Sequence, residues 1–324
     1  MYGYDSLTTK SGQTYTQYKL TEKTVPMTEL WDLLNLGLAA ALLHHYGNLW
    51  IKKQLSMAES AMGVGDVFIR IDYPERQELF AHAQVAEEEY SKSKILLLVL
   101  AITVRPVDSS ESVQHHCATY IGEGSLQKGQ ATLHEALADA MSWIRGKVGV
   151  RRVFYVSDRA PQEFSNATYL ECLNSHLKTY GVVAEHIFEE PGHGKGDCDA
   201  LGGGVKRMLG DFFSDCEYLP TPAECVSWLW SKTKGKPVRG KYSKYAEYRF
   251  HELKGNPKFC DVKCDTIKDT KKYFHWKAGT KPGHLLRRKY PCFCPHCMRN
   301  SPTLCTNTSF CGNWEEVPVK KLEE

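Results

Sequence analysis

Ten consecutive residues, Ile95-Leu-Leu-Leu-Val-Leu-Ala-Ile-Thr-Val104, carry no charge and a single hydroxyl. Such a run reads as a strand buried on both faces, and a strand of that kind lies inside a sheet covered from either side. The rest of the chain supplies its partners. Val67–Tyr73 reads as a buried strand stopped by Pro74, which cannot donate to a central ladder. Val113–Ile121, Val153–Ser157 and Val182–Phe188 read as further strands, with Gly181 punctuating the last join. Leu133, Leu137, Met141 and Ile144 give 131–145 helical spacing, and helices are predicted over 165–180, 199–213 and 222–232. Residues 75–90 fit either an irregular strand or a helix. Strand, strand, strand, helix, strand, helix, strand, helix predicts an α/β fold, a mixed sheet flanked by helices on both faces.

Ahead of this pattern, residues 1–25 are polar and read as an arm. Thr28 to about Met62 reads as helical, with Thr28 as N-cap and a broad apolar face from Leu30 to Leu43. Gly37 and Gly47 are expected to divide that helix. Its apolar face suits the core or a partner helix, so a homo-oligomer is compatible with it. The longest apolar stretch, Leu33–Leu43, is too short to span a bilayer. The N-terminus lacks the charged-then-apolar pattern of a signal peptide. An intracellular protein with no membrane partner is therefore expected.

Charge is divided unevenly. Residues 1–231 hold 20 basic and 29 acidic side chains, whereas residues 232–289 hold 18 basic and 5 acidic. Tyr242, Tyr245, Tyr248, Phe250, Tyr273, Phe274 and Trp276 are interleaved in the basic stretch. Lysine and arginine neutralise phosphates and aromatic faces stack on bases, so this segment suits DNA or an RNA-containing duplex. Lys241, Lys244 and Arg249 are its candidate contacts.

Two apolar strands end in a carboxylate, at Asp72 and Asp158. A third carboxylate, Asp199, stands at a Gly-rich turn leading into a helix. Acidic residues at neighbouring strand mouths and a following helix are what a two-metal phosphoryl-transfer site needs, with Mg²⁺ or Mn²⁺ held by carboxylate oxygens. Around Asp199, His193-Gly-Lys-Gly-Asp-Cys-Asp-Ala-Leu-Gly-Gly-Gly-Val-Lys-Arg207 gathers five glycines and three basic residues in fifteen positions. His193, Lys195, Lys206 and Arg207 are candidate phosphate contacts. A phosphate-loop NTPase is the rival, but no Gly-x4-Gly-Lys-Ser/Thr occurs.

The element order is also that of ribonuclease H-like folds, in which the first and fourth strands are neighbours. From about Val67 to Lys232 the chain resembles transposon-derived open reading frames of animal genomes, which look like DDE-type transposases with a ribonuclease H-like core. The resemblance rests on Asp72-Tyr-Pro-Glu75, on Ser157-Asp-Arg with Phe164-Ser-Asn166, on the His193–Arg207 block and on Thr221-Pro222. It implies that Asp72, Asp158 and Asp199 are catalytic metal ligands, acting in divalent-metal-dependent DNA cleavage and strand transfer in the nucleus. Pro74, Arg159 and Ser165 stand where the family has Ala, Gly and Lys, and Arg159 would put a cation beside the metals, where it could bind DNA phosphate or compete with a metal. The alternatives are a catalytically inactive nucleic-acid-binding protein retaining the fold, and a ribonuclease H-like nuclease without strand transfer.

Of twelve cysteines, seven crowd between Cys260 and Cys311. That clustering favours Zn²⁺ over a disulfide framework. Cys294-Pro-His-Cys297 has zinc-knuckle spacing, with Cys292, Cys305 and Cys311 as candidate further ligands and Cys260 and Cys264 as candidates for a second site. The organisation read from the sequence is thus an arm and helical region (1–62), an α/β core (63–232), a basic segment (233–289) and a Cys-rich zinc module with tail (290–324).

Overall fold

The computed structural model describes residues 2–8, 14–20, 25–79, 93–106, 113–161, 163–190, 196–233, 245–255, 264–299 and 301–321, the first two stretches by their backbone. His193, Lys195, Lys241, Lys244 and Cys260 lie outside them. Residues 1–46 and 47–324 form two compact units.

In the first unit, β1 (Tyr2–Thr8) and β2 (Thr14–Leu20) pair antiparallel, with Tyr2 opposite Leu20. The segment read as an arm is therefore a hairpin, consistent with the strand preference of its Thr and Tyr residues. Helix α1 (Met27–Ser60) runs through both glycines without a break. Gly37 has open space around it, whereas a Cβ at Gly47 would lie 2.6 Å from Glu190 Oε1, so Gly47 serves close packing rather than a break. The expected apolar face is at the surface: Leu30, Trp31, Leu36 and Leu38 are 49 to 73% exposed. No helix among the described residues is long and apolar enough to cross a membrane.

The second unit is built on a ten-stranded mixed sheet. Its strands are β3 (Asp66–Asp72), β4 (Gln77–Glu78), β5 (Lys94–Val104), β6 (Gln114–Glu123), β7 (Arg152–Ser157), β8 (Val183–Phe188), β9 (Tyr245–Leu253), β10 (His275–Ala278), β11 (His284–Arg288) and β12 (Glu315–Pro318). The order is β12-β11-β10-β8-β7-β3-β5-β6-β9, with β4 attached to β5. β3, β5 and β6 form an antiparallel meander, while β7 runs parallel to β3 and β8 parallel to β7. Helices α2 (Gln130–Arg145) and α3 (Ala167–Tyr180) join β6 to β7 and β7 to β8; α4 (Asp197–Ser214) and α5 (Pro222–Thr233) follow.

The ten-residue apolar run is the inner strand β5, and its side chains alternate between two layers. Leu96, Leu98, Leu100 and Ile102 pack in one cluster with Leu133, Leu137 and Met141 of α2. Ile95 and Leu97 pack on the other side with Val205, Leu209 and Phe213 of α4 and Leu229 of α5. Both faces are covered, so the strand needs no polar alternation.

The last third of the chain is a correction to the sequence reading. The described residues between 245 and 288 supply the edge strand β9 and, on the other side, β10 and β11 beside the edge strand β12, all in the one sheet rather than a separate module. Tyr245, Phe250, Phe274 and Trp276 are at most 5% exposed and belong to the core, so they are not stacking platforms for bases. The cysteine-rich segment, with short helices α6 (Pro295–Met298) and α7 (Thr308–Cys311), is also continuous with the main core through Cys292, Phe293 and Cys305.

Candidate functional site: an acidic cavity and a four-cysteine centre

Register brings the carboxylates together. Ile71 pairs with Ser157, and Ser157 with Phe188, in three adjacent parallel strands. The next residue of each, Asp72, Asp158 and Glu189, therefore stands at the same carboxyl edge, where open α/β sheets place their sites. Asp199 arrives from the first turn of α4. All four line one cavity of about 450 Å³, together with Lys52, Ser56 and Glu59 of α1 and Arg70 of β3.

Local structure fixes each acid. Asp158 Oδ1 accepts the amide of Ala160 at 3.1 Å, which holds the turn after β7. Asp199 Oδ2 accepts the amide of Gly196 at 3.0 Å, the capping arrangement that starts α4. Gly202 explains part of the glycine cluster: a Cβ there would lie 2.9 Å from Pro74 Cγ, so its absence lets α4 approach the end of β3. Gly203 and Gly204 face open space. Glu189 was not singled out by the sequence reading, although it ends an apolar strand just as Asp72 and Asp158 end theirs; Lys52, Glu59 and Arg70 gave no comparable signal.

Crowding shows in the acidities. Burial, then the charges of Asp199 and Asp158, push Asp72 up to about 6. Burial likewise raises Glu189, with Asp158 and Asp199 adding, while Arg70 and Lys52 oppose it. Burial pushes neighbouring Glu163 up to about 7, against Lys128. For Asp72 the consequence has a definite sign. Below the ordinary value of 3.8 both folded and unfolded chains hold its proton. As pH rises towards 6 the unfolded chain releases it first, destabilising the fold by about 1.4 kcal/mol per unit, or up to about 3 kcal/mol by neutral pH. Metal-free Asp72→Asn should therefore exceed wild type by about 2–3 kcal/mol at pH 7.5 and by little at pH 4, measured by urea unfolding. An equal difference at both pH values would contradict this acid cluster.

Four predicted phosphate contacts are placed otherwise. Arg159 stacks 3.3 Å over the Phe274 ring and donates to the carbonyls of Lys271 and Tyr273, so its guanidinium is committed to the β10 region rather than the cavity. Arg249 is held by Asp139 through Nε at 2.8 Å and Nη2 at 2.5 Å. Lys206 and Arg207 follow on α4, half-buried and exposed, and do not line the cavity. Among the described residues its cations are Lys52 and Arg70; Arg70 is paired with Glu59 at 2.5 Å.

The chain matches the family described as Domain of unknown function (DUF8701) over residues 52–289. It belongs to this family. No curated protein matches the sequence. A chain of the simian T-cell lymphotropic virus intasome in complex with PP2A regulatory subunit B56 gamma is similar at 12% identity, with a TM-score of 0.32. The match covers 56% of this chain and 52% of that one, so it spans about half the length of the solved chain.

In this DUF8701 member the four-cysteine centre follows directly after the matched residues. The ligand atoms of Cys292, Cys294, Cys297 and Cys305 all lie within 4.8 Å of one another, the one such group among the described residues. Cys292 and Cys305 are 3.6 Å apart and Cys294 and Cys305 4.0 Å, against about 2.05 Å for a disulfide. Sulfurs about 2.3 Å from a tetrahedral zinc are about 3.8 Å apart, so the spacing fits that ion. The described cysteines are free thiols.

The surroundings suit a negative cluster. Arg288 is 1% exposed and donates to Cys297 Sγ and Cys305 Sγ, each at 3.3 Å, and to Gly312 O at 2.7 Å. A buried guanidinium needs an anion, and four thiolates around a dication leave two negative charges. Asn307 Nδ2 donates to Cys292 Sγ at 3.4 Å. Cys311 stands beside Cys292 but turns its thiol to Asn307 O at 2.9 Å. Cys264 forms a bridge with Lys321 and is not in the group.

Proposed function

We propose that this protein is a DDE-type transposase or a domesticated derivative with a ribonuclease H-like core, acting on DNA in the nucleus. The observation that carries this reading is the convergence of Asp72, Asp158 and Asp199 on one cavity, across adjacent strand mouths and a helix start. The strand order β6-β5-β3-β7-β8, antiparallel across its first three members and parallel thereafter, supports the core assignment.

The acidic side chains do not gather within 4.8 Å as the cysteines do. Asp72, Asp158, Glu189 and Asp199 line one cavity, and carboxylates so arranged suit two divalent ions roughly 4 Å apart. Mg²⁺ or Mn²⁺ held there would supply an activated water and neutralise charge on a leaving 3′-oxygen. Asp158 and Asp199 offer carboxylate oxygens, and Asp72 must give up its proton to do the same. Lys52 supplies a cation for phosphate, while Arg70 is partly neutralised by Glu59. The four cysteines bind a structural Zn²⁺.

Incubation with labelled transposon-end and unrelated duplexes in Mn²⁺ tests the reading. Nicked and joined products are expected. Nicks without joined products identify a nuclease; metal-independent binding without cleavage identifies an inactive nucleic-acid-binding protein. A chain that neither binds nor cuts DNA ends the proposal.

A further inference from the structure

Helix α1 has two working sides between Gly47 and Ser60. Lys52, Leu55, Ser56 and Glu59 face the acidic cavity. The opposite side carries Trp50 and Gln54, four residues apart and therefore on one face. Trp50 Nε1 donates to Pro291 O at 2.7 Å, and its ring lies 4.9 Å from that of Phe310. Gln54, 2% exposed, accepts the amide of Phe293 through Oε1 at 2.6 Å. Phe293 lies between Cys292 and Cys294, and Pro291 directly precedes them. One turn earlier, Gly47 leaves no room for a Cβ beside Tyr290 OH, at 2.8 Å. Residues 47–54 of the helix are thus fastened to the backbone that carries the sulfur ligands.

We propose that the four-cysteine centre supports one wall of the acidic cavity, with Trp50 and Gln54 as positioning residues. Zinc fixes Cys292 and Cys294, and with them the Pro291 carbonyl and the Phe293 amide. Those two groups hold residues 50–54 of α1 on the side away from the cavity, and this stretch sets where Lys52, Ser56 and Glu59 meet the carboxylates. The mechanical link stands on these contacts; its importance for divalent-ion binding rests on the functional reading above. Without the ion, no covalent bond holds the four sulfurs at their spacing, and the wall loses its anchor while the sheet keeps its helices.

Hydrogen exchange of the full chain tests this. Four samples are compared: zinc-loaded wild type, wild type stripped by a chelator and dialysed, and zinc-loaded Gln54→Ala and Gln54→Glu. Stripping is expected to speed exchange in residues 47–60 about tenfold or more, with less than about a twofold change in α2. Gln54→Ala should reproduce that pattern with its zinc retained, and Gln54→Glu, which keeps the acceptor, should restore protection. Should Gln54→Ala not fold, Trp50→Phe removes the single indole bond and carries the same expectation. Unchanged exchange in 47–60 after stripping overturns the proposal, as does an equal rise in α2 or a wild type that holds no zinc. Mn²⁺ titration of the same samples is expected to show about tenfold weaker binding after stripping. Absence of Mn²⁺ binding in wild type refutes the reading of the cavity and leaves the exchange result to decide this one.

Discussion

Replacing Asp158 by Asn is expected to lower Mn²⁺-dependent cleavage of duplex DNA by about three orders of magnitude, which is about 4 kcal/mol of transition-state stabilisation. The substitution is conservative for the fold. The amide of Ala160 donates to Asp158 Oδ1 at 3.1 Å, and the amide oxygen of Asn can accept the same bond. What it removes is one of the two neighbouring charges that help push Asp72 up to about 6. The variant should therefore bind divalent ions less well while melting at or slightly above the wild-type temperature without metal. Single-turnover cleavage, circular dichroism and melting, each with and without Mn²⁺, separate the two effects. Cleavage within about fivefold of wild type in a normally folded variant would remove Asp158 from the chemistry.

The second large effect is expected at the cysteine centre. Changing Cys294 and Cys297 together to Ser takes away two of four sulfurs and one of the two that accept from Arg288, leaving a buried guanidinium short of a partner. Structural zinc contributes about 10–16 kcal/mol of binding energy in isolated fingers. Here Cys292, Cys294 and Cys305 also belong to the main apolar cluster, which retains part of the packing without metal. A net loss of about 5 kcal/mol is therefore expected, or about 10–20 °C in melting temperature for a unit of this size. Metal analysis should fall from one zinc per chain to none, and a chelator should lower wild type to near the variant. Zinc retained by the double variant, or a disulfide within the group under reducing purification, would count against it.

Much of the sheet was legible because its signals are local. An uninterrupted apolar run such as 95–104 has no other stable home, and Gly181 with φ of 69° closes α3 where a glycine was read as punctuation. Asp72 and Asp158 were legible as ends of buried strands, and Asp199 through its unusual setting. Glu189 carried the same signal as the first two and was passed over, because its relation to them is set by parallel register across three strands. Lys52 could not be found from sequence, since α1 presents it to the cavity through contacts distant in sequence, among them those with Arg70, Pro291 and Phe293. The basic segment misled for a related reason. Alternating aromatic and charged residues describe an edge strand as well as a nucleic-acid surface, and only burial of Tyr245 and Phe250 and the Arg249–Asp139 pair distinguish the two. Among the cysteines, spacing identified Cys294 and Cys297, but the exclusion of Cys311 depends on where its thiol turns.

The order of the strands also says something about how this chain must be born. β9 closes the flank of β6, and β10 closes the flank of β8, yet both are made after every acid of the cavity has left the ribosome. Translation at about 5–20 residues per second leaves several seconds in which six strands and their helices exist with two bare ladders of amides and carbonyls. Such ladders recruit whatever strand is nearest, including the same ladder on a neighbouring nascent chain. Safe folding of this protein therefore depends on protecting those ladders until β9 and β10 are made, and crowded polysomes are the setting in which it is most exposed to mispairing.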